Sequence, residues 1–254
     1  MLPGNSKPQS SNSVNKSMRY TRSESWLLQK MPGLNPNGIA FPFVASQKRY
    51  LFFKRSFDIA FSLVVILGIL SWLIPLVSLA IFLDSGGPVF FRQKRVGKGG
   101  KLFYCIKFRT MRPNEEADER PAAKDDDRIT GLGKFLRLAN IDELPQFFNV
   151  LWGQMSVIGP RPHMITDCIR FSFVISSYSF RNLVRPGITG WAQVKGYHGP
   201  VADYESIIQR YYWDAMYISK VSASLDGKII TKTIWRSLRN IGGLIKRFKK
   251  RRLP

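Results

Sequence analysis

The sequence predicts a membrane-associated α+β protein, and three features of the 254-residue chain lead to this prediction. Residues 59–83 form an apolar run without a charged side chain. A strand–turn–strand pattern follows this run directly. Apolar residues recur at helical spacing near the end of the chain.

The apolar run is long enough to cross a bilayer, since a helix rises ~1.5 Å per residue and the hydrocarbon layer is ~30 Å thick. Two features favour a re-entrant helix instead. Pro75 breaks the run one turn after Ser71, whose hydroxyl can bond a freed carbonyl. Both flanks are basic, and basic residues mark the cytoplasmic side. The residues alone leave the spanning and the re-entrant helix open.

The pattern after the run predicts a β-hairpin with strands at residues 88–92 and 102–109 and a turn at 97–100. Lys107 and Arg109 alternate with Phe108, so we expect both cations on one strand face, where they suit a diphosphate.

Near the C-terminus, apolar positions such as Trp235 and Leu238 alternate with basic residues such as Arg236 and Arg239. This pattern predicts a basic amphipathic helix on anionic lipid headgroups, with a core-packing helix as the alternative. Residues 1–45 are rich in Ser, Asn, Pro and Lys and predict a disordered basic segment.

The net charge of +22 indicates an anionic partner. Two distant cysteines, Cys105 and Cys168, predict reduced thiols rather than a disulfide framework. The chain has only two histidines, so it offers few candidate ligands for a zinc site and few candidates for the base of a histidine-centred triad. The acidic stretch at residues 114–128 predicts a solvated surface, one member of which could reach a metal.

Candidate catalytic chemistry lies around Asp142. Asn140 and Glu143 match a helix-start box, which places Asp142 in a first helical turn that attracts anions. Arg137 lies just upstream, and Arg161 lies between two prolines in a rigid turn. Most Asp-Glu pairs at such positions are ordinary helix-start acids. Two further arginines that could bind phosphate lie in a Gly-Pro-rich segment, Arg181 and Arg185.

Together these segments resemble the bacterial sugar transferases, the monotopic phosphoglycosyl transferases. The matching stretches are KRSFDIAFS at 54–62, DSGGPVFFRQKRVGKGGKLFYCIKFRTM at 84–111, DDRITGLGKFLR at 126–137, IDELPQFFNVLWGQMSVIGPRPH at 141–163, RPGITGWAQVKGY at 185–197 and YYWDAMYISKVSASLDGKII at 211–230. They cover about residues 48–235.

The resemblance implies a mainly helical catalytic domain with a small β-hairpin and an N-terminal re-entrant membrane helix-hairpin, seated on the cytoplasmic face of the bacterial inner membrane. We therefore expect a membrane element at 46–83, a catalytic domain at 84–235 and a basic amphipathic tail at 236–254.

The resemblance also implies a reaction. Asp142 attacks a UDP-sugar, UMP leaves, and undecaprenyl phosphate then takes the phosphosugar from the aspartate. Glu143, with Asp142, is implied to bind Mg²⁺. The expected substrate-binding residues are Lys107, Arg109, Arg137, Arg161, Arg181, Arg185, Asp214 and Tyr217.

The sequence departs from the family pattern at one position that bears on the identity of the sugar. His198 stands where hexose-1-phosphate transferases of this family have arginine in the pattern VxGYRG. We expect a hexose such as glucose or galactose rather than an N-acetylated amino sugar. Other expected partners are anionic lipids, and homo-oligomerisation stays open. A nucleic-acid binder conflicts with the uncharged run, and a non-catalytic membrane scaffold conflicts with the intact acid pair.

Overall fold

The structure, a computed structural model, describes residues 47–113, 126–197, 199 and 203–251. The chain begins with one long helix, in which α1 (Lys48–Val65) and α2 (Ser71–Ser85) are joined by a π-helical turn at Ile66–Leu70. This helix, Lys48–Ser85, has 38 residues and is apolar enough to cross a membrane. Ser71 Oγ donates to the Leu67 carbonyl at 2.7 Å, so this hydroxyl bonds a carbonyl at the π turn, before Pro75.

The predicted β-hairpin is confirmed. Strands β1 (Phe90–Val96) and β2 (Leu102–Phe108) pair antiparallel, and a short 3₁₀ turn at Lys98–Gly100 connects them. Strand β1 is longer than predicted, and β2 ends one residue before Arg109.

Helices make up most of the rest, as predicted. They are α3 (Gly131–Leu138), α4 (Gln146–Leu151), α5 (Ile165–Ser172), α6 (Trp191–Val194), α7 (Tyr204–Ser219) and α8 (Ala223–Arg251). Short 3₁₀ segments occupy Ile141–Glu143 and Tyr178–Leu183. Helix α8 runs without a break through position 236, where a separate tail was expected.

A second pair of strands was not predicted. Strands β3 (Ser156–Ile158) and β4 (Gly187–Thr189) lie parallel, so the two Gly-Pro-rich segments are neighbours in the fold. The backbones approach closely here: a Cβ on Gly187 would lie 2.1 Å from the nitrogen of Gly159. Only glycine fits such an approach.

The main core lies between α1, α4, β3, α7 and the start of α8, and includes Val65, Phe147, Met155, Ile218 and Ile229. A smaller core joins α2 to the hairpin and α3 through Val77, Ile81, Phe108 and Leu136. Both halves of the long helix therefore pack against the same domain. Its other side exposes large apolar side chains, among them Phe52, Leu67, Trp72, Leu79 and Leu83.

Candidate active site

The acid pair lies between α3 and α4, in the 3₁₀ turn Ile141–Glu143. The predicted helix-start box is wrong. Asn140 adopts a left-handed conformation (φ 56°) and its side chain caps nothing, while Glu143 turns toward two cations instead of back to Asn140. Asp142 is therefore presented by a tight turn, and α4, with six residues, is too short to act as an anion-binding dipole.

Asn149 holds this turn against the hairpin. Its buried side chain accepts a hydrogen bond from the Ile106 amide at 3.0 Å and donates one to the Tyr104 carbonyl at 2.7 Å. Helix α4 is thereby fixed along β2, and Lys107 on β2 meets Glu143. Sequence reasoning did not single out Asn149, although it belongs to the same motif as Asp142.

Glu143 is paired with two cations. Lys107 Nζ lies 2.7 Å from Glu143 Oε1, and Arg161 donates to both carboxylate oxygens, at 2.6 and 3.2 Å. Burial pushes the pKa of the Glu143 carboxyl up, but attraction to Arg161 and Lys107 outweighs it and holds the pKa well below its usual range. Glu143 is therefore ionised, and its pairing raises the pKa of Arg161.

Asp142 differs from its neighbour. Within the described part of the chain, no group donates a hydrogen bond to its carboxylate. Burial raises its pKa to about 6, against the opposing charges of Lys107, Arg137 and Arg161. At neutral pH Asp142 is thus largely ionised, buried and unpaired, which is the condition of an available nucleophile.

Arg137 completes what we term the carboxylate cluster: Asp142, Glu143, Lys107, Arg137 and Arg161. The Arg137 Nε donates to Thr110 Oγ1 at 2.8 Å, which aims the guanidinium beside Asp142. Three cations against two carboxylates leave the cluster with a positive excess, which suits an incoming diphosphate.

Arg109 is not brought into this cluster. The Arg109 amide still donates to the Val89 carbonyl at 2.8 Å, so the hairpin pairing continues to this residue, but the side chain turns toward the end of α2. Its guanidinium instead donates to Ser85 Oγ, at 2.9 Å, and to the Gly86 carbonyl at the end of α2. The predicted convergence of Lys107 and Arg109 on one diphosphate is therefore wrong.

Three other predicted binding residues lie inside the fold. Arg181 forms an ion pair with Asp214 at 2.6 Å and donates to the Arg161 carbonyl at 2.7 Å. Tyr217 donates to Asp226 at 2.9 Å and is about 1% exposed. Asp214 positions Arg161 through Arg181, and Tyr217 joins α7 to α8; the expected contact of these two residues with substrate stays a prediction.

Arg185 also lies outside the cluster. It donates to the Gly153 carbonyl at 2.8 Å and faces the first turns of α1.

The acidic stretch at residues 114–128 lies largely outside the described residues, except that Asp126 pairs with Arg128 at 2.7 Å. Cys105 and Cys168 are free thiols, as predicted.

Polar groups that sequence reasoning missed tie α1 to the domain. Asp58, about 1% exposed, accepts from Ser156 Oγ at 3.0 Å and from the Val157 amide at 2.9 Å. Asp226 on α8 accepts from Tyr50 and Lys54, both at 2.7 Å. The clue in the sequence was an aspartate at the edge of an apolar run.

Comparison with known proteins adds a family. The sequence profile described as "Bacterial sugar transferase" matches residues 49–240. The UDP-glucose:undecaprenyl-phosphate glucose-1-phosphate transferase of Xanthomonas campestris pv. campestris is 44% identical over 164 residues, 64% of this chain and 34% of that protein.

Two further relatives cover more of the chain. The UDP-N-acetylgalactosamine-undecaprenyl-phosphate N-acetylgalactosaminephosphotransferase of Aeromonas hydrophila is 45% identical over 76% of this chain and 45% of its own length. A UDP-glucose:undecaprenyl-phosphate glucose-1-phosphate transferase of Caulobacter vibrioides is 42% identical over 79% of this chain and 73% of its own length. The chain thus spans less than half the length of the first two relatives, at 34% and 45%.

Proposed function

This chain belongs to the bacterial sugar transferase family, and we propose that it transfers a sugar-1-phosphate from a UDP-sugar to undecaprenyl phosphate, the first membrane step of polysaccharide synthesis. The observation that carries this proposal is the state of Asp142. It is the carboxylate of the cluster that has no ion pair or hydrogen bond among the described residues, and it lies beside three cations.

The reaction proceeds in two displacements. A carboxylate oxygen of Asp142 attacks the β-phosphorus of the UDP-sugar, the bond from that phosphorus to the bridging oxygen breaks, and UMP leaves with the electron pair. An oxygen of undecaprenyl phosphate then attacks the same phosphorus and releases the Asp142 carboxylate. Covalent catalysis of this kind divides one difficult transfer into two easier ones.

The cluster's cations stabilise the charge that develops in both steps. Arg161 and Lys107 are held in place by Glu143, and Arg137 by Thr110, so they need little reorganisation when the diphosphate arrives. Glu143 keeps the two cations oriented while it stays ionised. Asp142 must be deprotonated to attack, and its pKa of about 6 makes it so at neutral pH.

Mg²⁺ fits the donor chemistry of this turn. Mg²⁺ commonly takes one or two carboxylates and completes its shell with water and substrate phosphates. Among the described residues, Glu143 Oε2 accepts a single hydrogen bond, at 3.2 Å from Arg161, which leaves a lone pair for the ion. Glu143 and Asp142 would hold the ion, which would neutralise diphosphate charge when bound.

We propose that the long helix is re-entrant and that the domain lies on the cytoplasmic face of the inner membrane. Asp58, near the start of the helix, and Ser85, at its end, both contact the domain. They are 27 residues apart, which at a rise of ~1.5 Å per residue corresponds to ~40 Å of helix. This length exceeds the ~30 Å thickness of the hydrocarbon layer. A straight spanning helix would separate those two positions by the bilayer. The exposed apolar side of the helix is left for lipid.

Single cysteines at positions 48 and 98 test this topology. They would be introduced into a chain with Cys105 and Cys168 replaced by serine. We expect both to be labelled from the cytoplasmic side of inverted vesicles, and labelling from opposite sides would contradict the re-entrant arrangement.

For the sugar, we propose a hexose such as glucose or galactose. The names of relatives at similar identity include both glucose and N-acetylgalactosamine, so a panel of donors is needed. Purified full-length protein would be mixed with Mg²⁺, undecaprenyl phosphate and each UDP-sugar, and UMP release measured. Asp142→Asn should abolish release, whereas Asp127→Asn, an exposed acid outside the cluster, should not. Absence of release with every sugar would contradict the proposal.

A further inference from the structure

A second basic site lies beside the N-terminal half of α1, apart from the carboxylate cluster. Here a small pocket, partly open to solvent, is enclosed by α1, the hairpin turn, β3 and the segment before β4. Its polar lining comes mainly from Tyr50, Lys54, Arg55, Lys98, Ser156 and Arg185. None of the five cluster residues lines it.

The charge in this pocket is unbalanced. Lys54, Arg55, Lys98 and Arg185 contribute four cations. Lys54 is neutralised by Asp226, and Asp58 is the acid in the lining, already bonded to β3. The pocket therefore carries an excess of about two positive charges.

Two of these cations, Arg55 and Arg185, line the same pocket, and Asp58 is the acid that attracts Arg55. Arg55 and Arg185 repel each other, and within the described part of the chain neither guanidinium forms an ion pair. Arg55 donates to the Val150 and Leu151 carbonyls. Among the described residues, Arg185 bonds only through Nε, to Gly153, which leaves its two terminal nitrogens available. Paired guanidinium groups with spare donors match a phosphate group.

The pocket adjoins the surface that we assign to lipid. Its lining residues on α1 share the first turns of the helix with Phe52, Phe53 and Phe57, which are 69%, 69% and 41% exposed. An anion that enters the pocket can therefore remain attached to an acyl chain that lies along α1.

We propose that this pocket binds a phosphate group, supplied in the membrane by an anionic phospholipid headgroup. This site is additional to the transfer reaction and does not depend on it. Bound lipid would bridge α1, the hairpin turn and the segment before β4, and would thereby stabilise the attachment of the domain to the membrane.

The test is direct binding to the full-length protein in uncharged detergent, without a UDP-sugar. The probes are dioctanoyl phosphatidylglycerol, inorganic phosphate and, as the phosphate-free control, dioctanoylglycerol, each titrated by calorimetry. Lys98→Gln removes one pocket cation that makes no described ion pair. Lys101→Gln is its matched control, an exposed lysine three residues along the same turn that does not line the pocket.

We expect phosphatidylglycerol to bind the unmodified protein and Lys101→Gln equally, and Lys98→Gln about two- to fivefold more weakly, as for one exposed charged contact. Arg185→Gln, checked for folding by circular dichroism, should weaken binding further. Binding of inorganic phosphate with the same Lys98 dependence, without binding of the lipid, would assign the pocket to a soluble phosphate. Equal losses in both lysine variants, or no binding of either phosphate probe, would overturn the proposal. UMP release is measured separately, so a failure of the transferase assay leaves this result unaffected.

Discussion

Replacement of Asp142 by asparagine should stabilise the folded protein at neutral pH. The side chain keeps its shape and loses a buried charge. The pKa of Asp142 is raised by burial from 3.8 to about 6, a difference of roughly two units. At ~1.4 kcal/mol per unit, ionisation of Asp142 costs the native state up to about 3 kcal/mol.

The sign follows from proton binding. The native state holds the Asp142 proton more tightly than the unfolded chain, so this acid favours folding at low pH and opposes it progressively between about pH 4 and pH 6. The full cost is present above pH 6. Asparagine avoids it, and its advantage should therefore vanish on acidification.

Thermal unfolding in detergent, followed by tryptophan fluorescence, measures this effect. We expect Asp142→Asn to unfold roughly 6–12 °C above the unmodified protein at pH 7.5, and at nearly the same temperature at pH 4. Asp127→Asn, an exposed acid, serves as the control and should change little at either pH. An Asp142→Asn protein that is no more stable at pH 7.5, or whose advantage grows toward low pH, would refute the reasoning.

Three further predictions concern the same cluster. Glu143→Gln leaves Lys107 and Arg161 without their carboxylate and should lower the free energy of unfolding by about 1–3 kcal/mol. This value is below that of a fully buried ion pair because the three side chains are 15–28% exposed and solvent screens their charges. An unchanged melting temperature would contradict this prediction. Arg161→Lys keeps the charge but loses the two-point contact, so UMP release should fall at least about tenfold, and full activity would show that the fork geometry is irrelevant. The rate of UMP release should decrease about tenfold per pH unit below pH 6, as Asp142 becomes protonated; a rate that is flat down to pH 5 would argue against Asp142 as the nucleophile.

Local features were predictable because adjacent residues encode them. The hairpin follows from alternating strand residues around a glycine turn, and the apolar helix follows from its length and lack of charge. The left-handed Asn140 was not predictable, since the same residue types also start helices. Arg109 was misplaced because its side chain bonds Ser85 and the Gly86 carbonyl at the end of α2, a contact between segments that strand alternation does not encode.

Contacts between segments far apart in the sequence could not be predicted from the spacing of residue types. Glu143 meets Lys107 across 36 residues, and Asp58 meets Ser156 across 98. The parallel pairing of β3 with β4 brings together the Arg161 and Arg185 segments, but turns the two side chains to different sites. Residue types indicated phosphate chemistry, whereas only the fold separates the carboxylate cluster from the pocket at α1.

The most direct test of the central claim is to identify the residue that carries the phosphosugar. The full-length protein would be incubated with Mg²⁺ and a UDP-sugar that supports UMP release, without undecaprenyl phosphate, then digested and analysed by mass spectrometry. We predict one phosphosugar adduct, on Asp142, that disappears when undecaprenyl phosphate is added. An adduct on another residue, or UMP release by Asp142→Asn at an undiminished rate, would contradict the mechanism.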